Sequence, residues 1–323
     1  MALLDIQNLN VVYKTPTGDV LACDGVNLSI EAQSSIGIVG ESGSGKSTMA
    51  MAVLRLLPKK TAQVEGKVLL DGVDLLSLSQ KELNAIRWKE IAVVFQKAMN
   101  SLSPVHKIGR QMSDIYRIHE PNASDAEVRA RIYELLDVVN LSDRVYNLYP
   151  HELSGGMMQR ISIAVSLLHN PKMLILDEAT TALDVVTEGQ ILSEIAAIQK
   201  KFNLTRMMIT HDISAVASSC ENIAVMYAGC IVETGSTQKV LTDPQHPYTK
   251  ALLAAFPNFR GQKTALTSIP GSLPNLKLRQ PGCLFAPRCA YATEQCLQSK
   301  PPLRHPEPGR NVYCHCMGGD LHE

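Results

Sequence analysis

The chain has 323 residues, and its 31 lysines and arginines balance 31 aspartates and glutamates, so the formal charge is zero. This length predicts about two domains at roughly 150 residues each, and the balanced charge gives no electrostatic basis for nucleic-acid binding. Hydrophobic residues make up 45% of the chain and charged residues 19%, which excludes a disordered or collagen-like protein.

The first half of the sequence predicts several strands and then a helical region. Alternating apolar residues predict a strand over 3–13, and further strands are predicted over 26–30, 35–39 and 64–70. The residues from Ser47 to Leu57 favour a helix, which Pro58 ends. Helical patterns then cover about 97–166, where Ser124 followed by Glu127 predicts a helix start.

The second half predicts alternating strands and helices. Leu174 to Leu176 is a short, wholly apolar strand of the kind that parallel sheets bury. The elements predicted after it are helix 187–202, strand 206–210, helix 213–219 and strand 223–227. This alternation predicts a parallel sheet with helices on both faces. From about Phe256 to Thr293 acidic residues are absent and prolines accumulate, which indicates a small, loop-rich appendage.

A glycine-rich stretch joins the strand over 35–39 to the following helix. It fits the phosphate-loop pattern in full and has the strand before it and the helix after it that the pattern requires. Glycines let backbone N–H groups point at phosphate oxygens, while Lys46 can reach the β- and γ-phosphates and Ser47 can ligate Mg²⁺. The residues assigned to nucleotide binding are Gly40, Glu41, Ser42, Gly43, Ser44, Gly45, Lys46, Ser47 and Thr48.

Two carboxylates follow the apolar strand over 174–176. Asp177 ends this strand, where it can hold Mg²⁺ through water, and Glu178 is placed to orient or deprotonate an attacking water. Acidic residues at a strand end are by themselves usually just solvated. Together with the phosphate loop they predict nucleotide hydrolysis.

A second helix start that can bind anions lies at Ser154, Gly155 and Gly156. With Leu153 before it, this segment resembles the signature of ATP-binding cassette (ABC) proteins, although Met157 stands where that signature usually has Gln. The family's other marks match in order over about residues 1–250: Tyr13 as the adenine-stacking aromatic, Gln96 in the Q-loop, Asp184 in the D-loop and His211 in the switch.

This resemblance implies an α/β fold, namely a P-loop NTPase cassette with a parallel-sheet core, an antiparallel β subdomain and a helical subdomain over about 97–166. It also implies a dimer in which each ATP lies between the phosphate loop of one subunit and 154–156 of the other. Gln96 would sense Mg²⁺ and the attacking water, and His211 would hold the γ-phosphate. The implied Mg²⁺ ligands are Ser47, Gln96 and Asp177. Without the other family motifs, an isolated histidine such as His211 or a strand tyrosine such as Tyr13 would be interpreted as a structural residue with no catalytic role.

Two later segments point to one branch of the family. Residues 97–105 and 246–252 resemble segments of the ABC ATPases that serve dipeptide, oligopeptide and nickel importers, and the tail resembles the C-terminal extension of that branch, most closely of its D-type subunits. The implied organisation is a nucleotide-binding domain over 1–255 and a C-terminal oligopeptide-permease-type extension over 256–323.

Five of the eight cysteines crowd the last 41 residues, and without an export signal such a cluster favours metal binding over disulfides. The spacing contains no Cys-x-x-Cys pair and therefore fits zinc ribbons poorly. The resemblance implies a [4Fe–4S] cluster, whose ligands tolerate irregular spacing, on Cys283, Cys289, Cys296 and Cys314. Zinc and a small core of reduced thiols remain alternatives, and Cys316 could replace Cys314.

The sequence-based hypothesis is an ATPase that binds ATP and Mg²⁺ and drives uptake of di- or oligopeptides. Its implied partners are two transmembrane permease subunits, a second ABC ATPase (a paralogous F-type subunit or a second copy) and, indirectly, a substrate-binding protein, with no nucleic acid. No apolar run reaches the ~18 residues of a spanning helix, so we expect the chain to act from outside the bilayer. The resemblance implies a peripheral protein at the cytoplasmic membrane face. Nickel or antimicrobial-peptide uptake and a non-transport ABC ATPase are the alternatives. A redox-responsive role of the tail would add to the transport hypothesis without replacing it.

Overall fold

The computed structural model describes residues 2–95, 102–180, 184–255, 269–277 and 280–316. The chain divides into two compact units, unit 1 being Met1–Leu76 with Ile209–Glu323 and unit 2 being Ser77–Met208. The C-terminal tail thus belongs to the same unit as the phosphate loop.

Twelve strands are defined within the described residues, in chain order β1 (Ala2–Thr15), β2 (Gly18–Glu31), β3 (Ser35–Val39), β4 (Ala62–Leu70), β5 (Val73–Asp74), β6 (Ile91–Phe95), β7 (Met173–Asp177), β8 (Thr205–Ile209), β9 (Asn222–Tyr227), β10 (Cys230–Ser236), β11 (Leu303–Arg304) and β12 (Asn311–Tyr313). The α-helices are α1 (Lys46–Val53), α2 (Gln80–Ile86), α3 (Ile108–His119), α4 (Asp125–Val138), α5 (Gly155–Ser166), α6 (Val185–Phe202), α7 (Ile213–Ser219), α8 (Thr237–Thr242), α9 (Pro247–Ala254) and α10 (Glu294–Gln298). Short 3-10 helices cover Asp143–Asn147, Pro150–Glu152 and Ala286–Arg288.

Unit 1 contains an antiparallel sheet in the order β2-β1-β4-β5. The apolar residues that predicted the first strand are buried, namely Leu4, Ile6, Leu9 and Val11. The spacing of two residues from Leu4 to Ile6 and from Leu9 to Val11 is that of a strand, and the pairing register shifts between Ile6 and Leu9. This sheet matches the predicted antiparallel subdomain.

A second set of strands in unit 1 has the order β11-β12-β10-β9-β3. β3 and β9 are parallel, but β10 pairs antiparallel with both β9 and β12. The predicted parallel pairing is confirmed for β3 and β9, whereas the sheet as a whole is mixed rather than parallel. The reason is the tight turn at Ala228-Gly229 between β9 and β10, where both residues have positive φ angles, because such a turn can only join antiparallel neighbours. β12, from the tail, extends this part of the sheet.

In unit 2, β6 and β7 are parallel, and β8 is the next neighbour of β7. All five residues of β7 are buried, as its apolar sequence predicts. The helical region contains α3, α4 and α5, and Ser124 caps α4 by accepting a hydrogen bond from the Glu127 amide. That helix start is confirmed. In the described part of the chain, no helix is long and apolar enough to cross a membrane.

Candidate functional site

The glycine-rich loop of unit 1 joins β3 to α1 and takes a conformation that needs its glycines. Gly40, Gly43 and Gly45 have φ angles of 153°, 80° and 103°. A Cβ atom on Gly40 would lie 2.1 Å from the Met226 carbonyl oxygen, and one on Gly45 would lie 2.4 Å from the Ala22 carbonyl oxygen. Since neither backbone neighbour can move away cheaply, side chains are excluded here. The loop can therefore curl tightly enough to surround an anion.

Lys46 begins α1 and carries the positive charge of the loop. Its side chain is buried, with the residue 5% exposed. The ammonium Nζ donates hydrogen bonds to the carbonyl oxygens of Gly40 at 2.8 Å and Glu41 at 2.9 Å, and lies 3.4 Å from Ser44 Oγ. The cation is thus fixed inside the curve of the loop, at the positive end of a helix, which is the arrangement that binds phosphate groups.

Tyr13 lies beside the first turn of α1. Its hydroxyl Oη is 3.4 Å from Thr48 Oγ1. The phenol ring, which belongs to β1, is partly exposed. The structure therefore places Tyr13, the residue predicted to stack on adenine, beside Thr48 at the end of the phosphate loop.

His211 lies in unit 1 on the exposed turn between β8 and α7. The Thr210 amide donates to the Ile38 carbonyl at 3.2 Å, which places this turn beside β3 and hence near the start of the phosphate loop. Asp212 fixes the turn from the other side, because its amide donates to Thr210 Oγ1 and its carboxylate caps α7. The predicted switch histidine is thus presented on a hydrogen-bonded turn.

The two predicted carboxylates lie at the end of β7 in unit 2. Asp177 is 8% exposed, while Glu178 is partly exposed. Glu178 has a φ angle of 50°, in the left-handed region that costs a residue with a side chain about 1 kcal/mol or more. This strained residue directly follows a buried strand, and such strain clusters at functional sites.

Ser154 and Asp184, also in unit 2, begin α5 and α6. Ser154 is exposed, and its Oγ accepts a hydrogen bond of 3.3 Å from the Met157 amide. Asp184 accepts from the Thr187 amide at 3.0 Å and from the Thr187 hydroxyl at 2.7 Å. These bonds lower the pKa of the Asp184 carboxyl. A Cβ atom on Gly156 would lie 3.2 Å from Thr187 Cγ2, so the two helix starts are neighbours.

Gln96 and the D-loop residues Ala182 and Leu183 lie outside the described residues, as does most of the segment 97–105.

The tail cysteines are free thiols in the described chain. The Cys283 amide donates to the Cys296 carbonyl at 2.7 Å, and the Cys289 thiol interacts electrostatically with those of Cys296 and Cys316. Burial raises the pKa of the Cys314 thiol to about 12. Among the described residues no group of three or more His, Cys, Asp or Glu side chains is arranged to hold a metal ion. The structure therefore gives no support to the predicted [4Fe–4S] site.

Tyr248 and Arg288, which had no individual role in the sequence-based hypothesis, contact the phosphate loop. The Glu41 amide donates to the Tyr248 hydroxyl, and the Glu41 carboxylate pairs with Arg288. Neither contact has a local sequence signal, because Arg288 lies 247 residues from Glu41.

Comparisons with known proteins agree with this geometry. The family model "ABC transporter" matches residues 23–181, and the model "Oligopeptide/dipeptide transporter, C-terminal region" matches residues 232–296. The oligopeptide transport ATP-binding protein OppD of Haemophilus influenzae is 43% identical over 296 residues, which are 91% of each chain. OppD of Escherichia coli is 42% identical and covers 97% of this chain and 93% of its own.

Solved structures are also similar. The dimeric bacterial ABC transporter cassette MJ0796 has a TM-score of 0.65 at 30% identity, and the match covers 72% of this chain and 98% of that one. A second dimeric structure of the same cassette, in a post-hydrolysis state bound to ADP and Pi, matches equally well.

Proposed function

This chain belongs to the ABC transporter ATPases, in the branch of the OppD-type proteins, and from that premise we propose that it hydrolyses ATP to drive peptide import. The observation that carries the ATPase assignment is the loop over 40–48, where a buried lysine lies inside a backbone curl at the start of a helix. The peptide assignment rests on the OppD relatives and on the C-terminal family match.

We propose that Lys46 and the backbone of the loop bind the phosphates of ATP, and that Tyr13 stacks on the adenine. Ser47, Asp177 and Gln96 would supply oxygen ligands to Mg²⁺, which prefers such ligands and neutralises phosphate charge when bound. The loop fits this substrate, because its glycines allow the tight curl that lets backbone N–H groups point at phosphate oxygens.

For the chemical step we propose that Glu178 accepts a proton from the attacking water. The water oxygen bonds to the γ-phosphorus while the bond to the β-γ bridging oxygen breaks, which releases ADP and phosphate. His211 would hold the γ-phosphate during this step. The left-handed backbone at Glu178 favours this role, since such strain clusters at functional sites.

We further propose that two ATPase subunits share each ATP, with Ser154, Gly155, Gly156 and Asp184 of one acting on the nucleotide bound by the other. The exposed start of α5 supports this, as does the dimeric state of the matching cassette. The second subunit is either a paralogue or another copy. The complex would include two permease subunits at the cytoplasmic membrane face, with a substrate-binding protein that delivers the peptide.

The test is reconstitution of this ATPase with its permease in liposomes. We expect ATP hydrolysis to rise when the binding protein is loaded with peptide, and to be lost in Lys46→Ala. Hydrolysis that responds to nickel but not to peptides would overturn the peptide assignment and leave the ATPase assignment intact. An absence of ATP hydrolysis in the assembled wild-type complex would overturn both.

For the tail we propose the division at residue 255 and a [4Fe–4S] cluster on Cys283, Cys289, Cys296 and Cys314. The cluster proposal is supported by the family resemblance of the tail and by the crowding of five cysteines into the last 41 residues. Iron and sulfide analysis of anaerobically purified protein tests it, with Cys289→Ser as the loss variant and Cys220→Ser, which lies outside the tail, as the control. Stoichiometric zinc, or no metal, would refute the cluster.

A further inference from the structure

Glu41 is the second residue of the phosphate loop and the only acidic one between Gly40 and Thr48. A carboxylate at this position belongs to the loop proposed to bind a triphosphate, which carries several negative charges. Like charges repel, and the repulsion grows where protein reduces the effective dielectric constant. Glu41 would therefore weaken ATP binding unless another group offsets its charge.

Arg288 from the tail supplies that opposite charge. Its Nη1 lies 2.9 Å from Glu41 Oε2, and its Nη2 lies 3.0 Å from Glu41 Oε1, so the pair is bidentate. The Arg288 side chain is only 7% exposed, against 24% for Glu41. Bidentate guanidinium–carboxylate pairs are the strong, geometrically specific kind of ion pair. The hydrogen bonds to Glu41 raise the pKa of Arg288, which stays charged.

The guanidinium group is itself fixed by the tail. Arg288 Nε donates to the Pro270 carbonyl at 2.8 Å, and Nη2 also donates to the Ile269 carbonyl at 3.3 Å. Nη1 lies 3.3 Å from the Tyr227 hydroxyl. Because these partners engage the N–H donors of the guanidinium group, Arg288 has no free donor pair for a phosphate. It therefore acts on the nucleotide through Glu41.

The backbone of Glu41 is fixed as well. Its amide donates to the Tyr248 hydroxyl at 2.9 Å. The Tyr248 residue is fully buried, and its ring packs against Tyr227 with centroids 4.5 Å apart and against Phe285 of the tail at 5.4 Å. The tail thus supports both the side chain and the backbone of one loop residue.

The carbonyl group of Glu41 connects this arrangement to Lys46, whose ammonium donates to it at 2.9 Å. A shift of Glu41 would therefore move an acceptor that fixes the position of the phosphate-binding cation. In this way one tail arginine can influence both the charge and the shape of the loop.

We infer that Arg288 is a positioning residue for ATP, which neutralises Glu41 and fixes the phosphate loop, so that affinity for ATP depends on the C-terminal tail. The inference rests on the proposed ATP site.

The experiment measures the equilibrium dissociation constant for Mg-ATP by calorimetry on the full-length chain. We expect Arg288→Gln to weaken binding about tenfold, because the Glu41 charge is then uncompensated beside the triphosphate. Arg288→Lys, which keeps the charge and loses the bidentate geometry, should lose about threefold. Arg304→Gln is the matched control, because this exposed tail arginine donates to the His315 carbonyl and does not touch the loop; it should bind ATP as the wild type does.

The double variant Glu41→Gln with Arg288→Gln shows whether the lost affinity comes from the uncompensated Glu41 charge or from a general loss of tail packing. It should recover most of the lost affinity, because it removes the charge that Arg288 offsets. An unchanged dissociation constant in Arg288→Gln, or a double variant as weak as the single one, would overturn the inference. Failure of the wild type to bind ATP would overturn the proposed function together with the inference. The titration of the wild type alone detects that outcome, whereas the variants test only the inference.

Discussion

Two helix starts among the described residues, those of α1 and α5, have features suited to anion binding. They differ in how many hydrogen bonds from their own chain hold them in place. At the start of α1, a buried ammonium group bonds to the carbonyl oxygens of its own loop, and the loop is supported by the tail. At the start of α5, Ser154 is exposed and makes a single capping bond. We therefore propose that the first arrangement binds phosphate without help from another subunit. The second presents an open helix N-terminus, which suits a group brought to it by another subunit.

The largest expected effect concerns the carboxylate at the end of β7. Glu178→Gln should lower ATP turnover by about a hundredfold or more, since a positioned base contributes at least that much, while ATP binding stays close to normal. Single-turnover hydrolysis and calorimetry measure the two effects, with Glu65→Gln on an exposed strand as control. Retention of most of the activity would show that another group activates the water.

The phosphate loop was predictable from the sequence because its chemistry is local. β3 begins and ends as predicted, and the loop follows it directly. The same holds for α7, and Ser124 starts α4 as its capping pattern predicts. A contiguous motif whose residues determine each other's conformation can be recognised without knowledge of the rest of the chain.

The contacts that support the loop could not be predicted in this way. Arg288 meets Glu41 across 247 residues, and no periodicity or motif marks such a pair. The left-handed backbone at Glu178 was also unpredictable, because it is imposed against the preference of the residue. β6 was missed since a short apolar run does not distinguish strand from helix.

The next largest effect concerns Lys46 and tests whether the start of α1 binds phosphate without another subunit. Lys46→Ala should weaken ATP binding by about ten- to a hundredfold, because the ammonium makes charge-assisted bonds to phosphate that backbone amides do not replace. Calorimetry on the isolated chain measures it, and Lys60→Ala, an exposed lysine, is the control. Equal affinity of Lys46→Ala and wild type would remove the phosphate-binding role of this residue.

A smaller effect tests whether the second helix start needs another subunit. Ser154→Arg should leave ATP binding by the isolated chain unchanged and lower turnover of the assembled complex about tenfold, because a bulky cation fills the position proposed for the γ-phosphate of the facing subunit. Ser193→Arg adds the same charge to an exposed face of α6 and should have little effect. Full hydrolysis by the complex with arginine at 154 would exclude a shared site.

The smallest effect compares two serines that cap helices in the same unit. Ser124 and Ser154 each accept a hydrogen bond of 3.3 Å from an amide of the first turn. Replacing either serine with alanine should lower the free energy of unfolding by about 1 kcal/mol, the usual loss for an N-cap. Only Ser154→Ala should also reduce ATP turnover of the assembled complex, because only that hydroxyl lies at the proposed nucleotide contact. Chemical denaturation and steady-state hydrolysis provide the two measurements. Equal loss of turnover in both variants would mean that α5 matters for stability rather than for contact with ATP, since the capping bond is then the only property the two serines share.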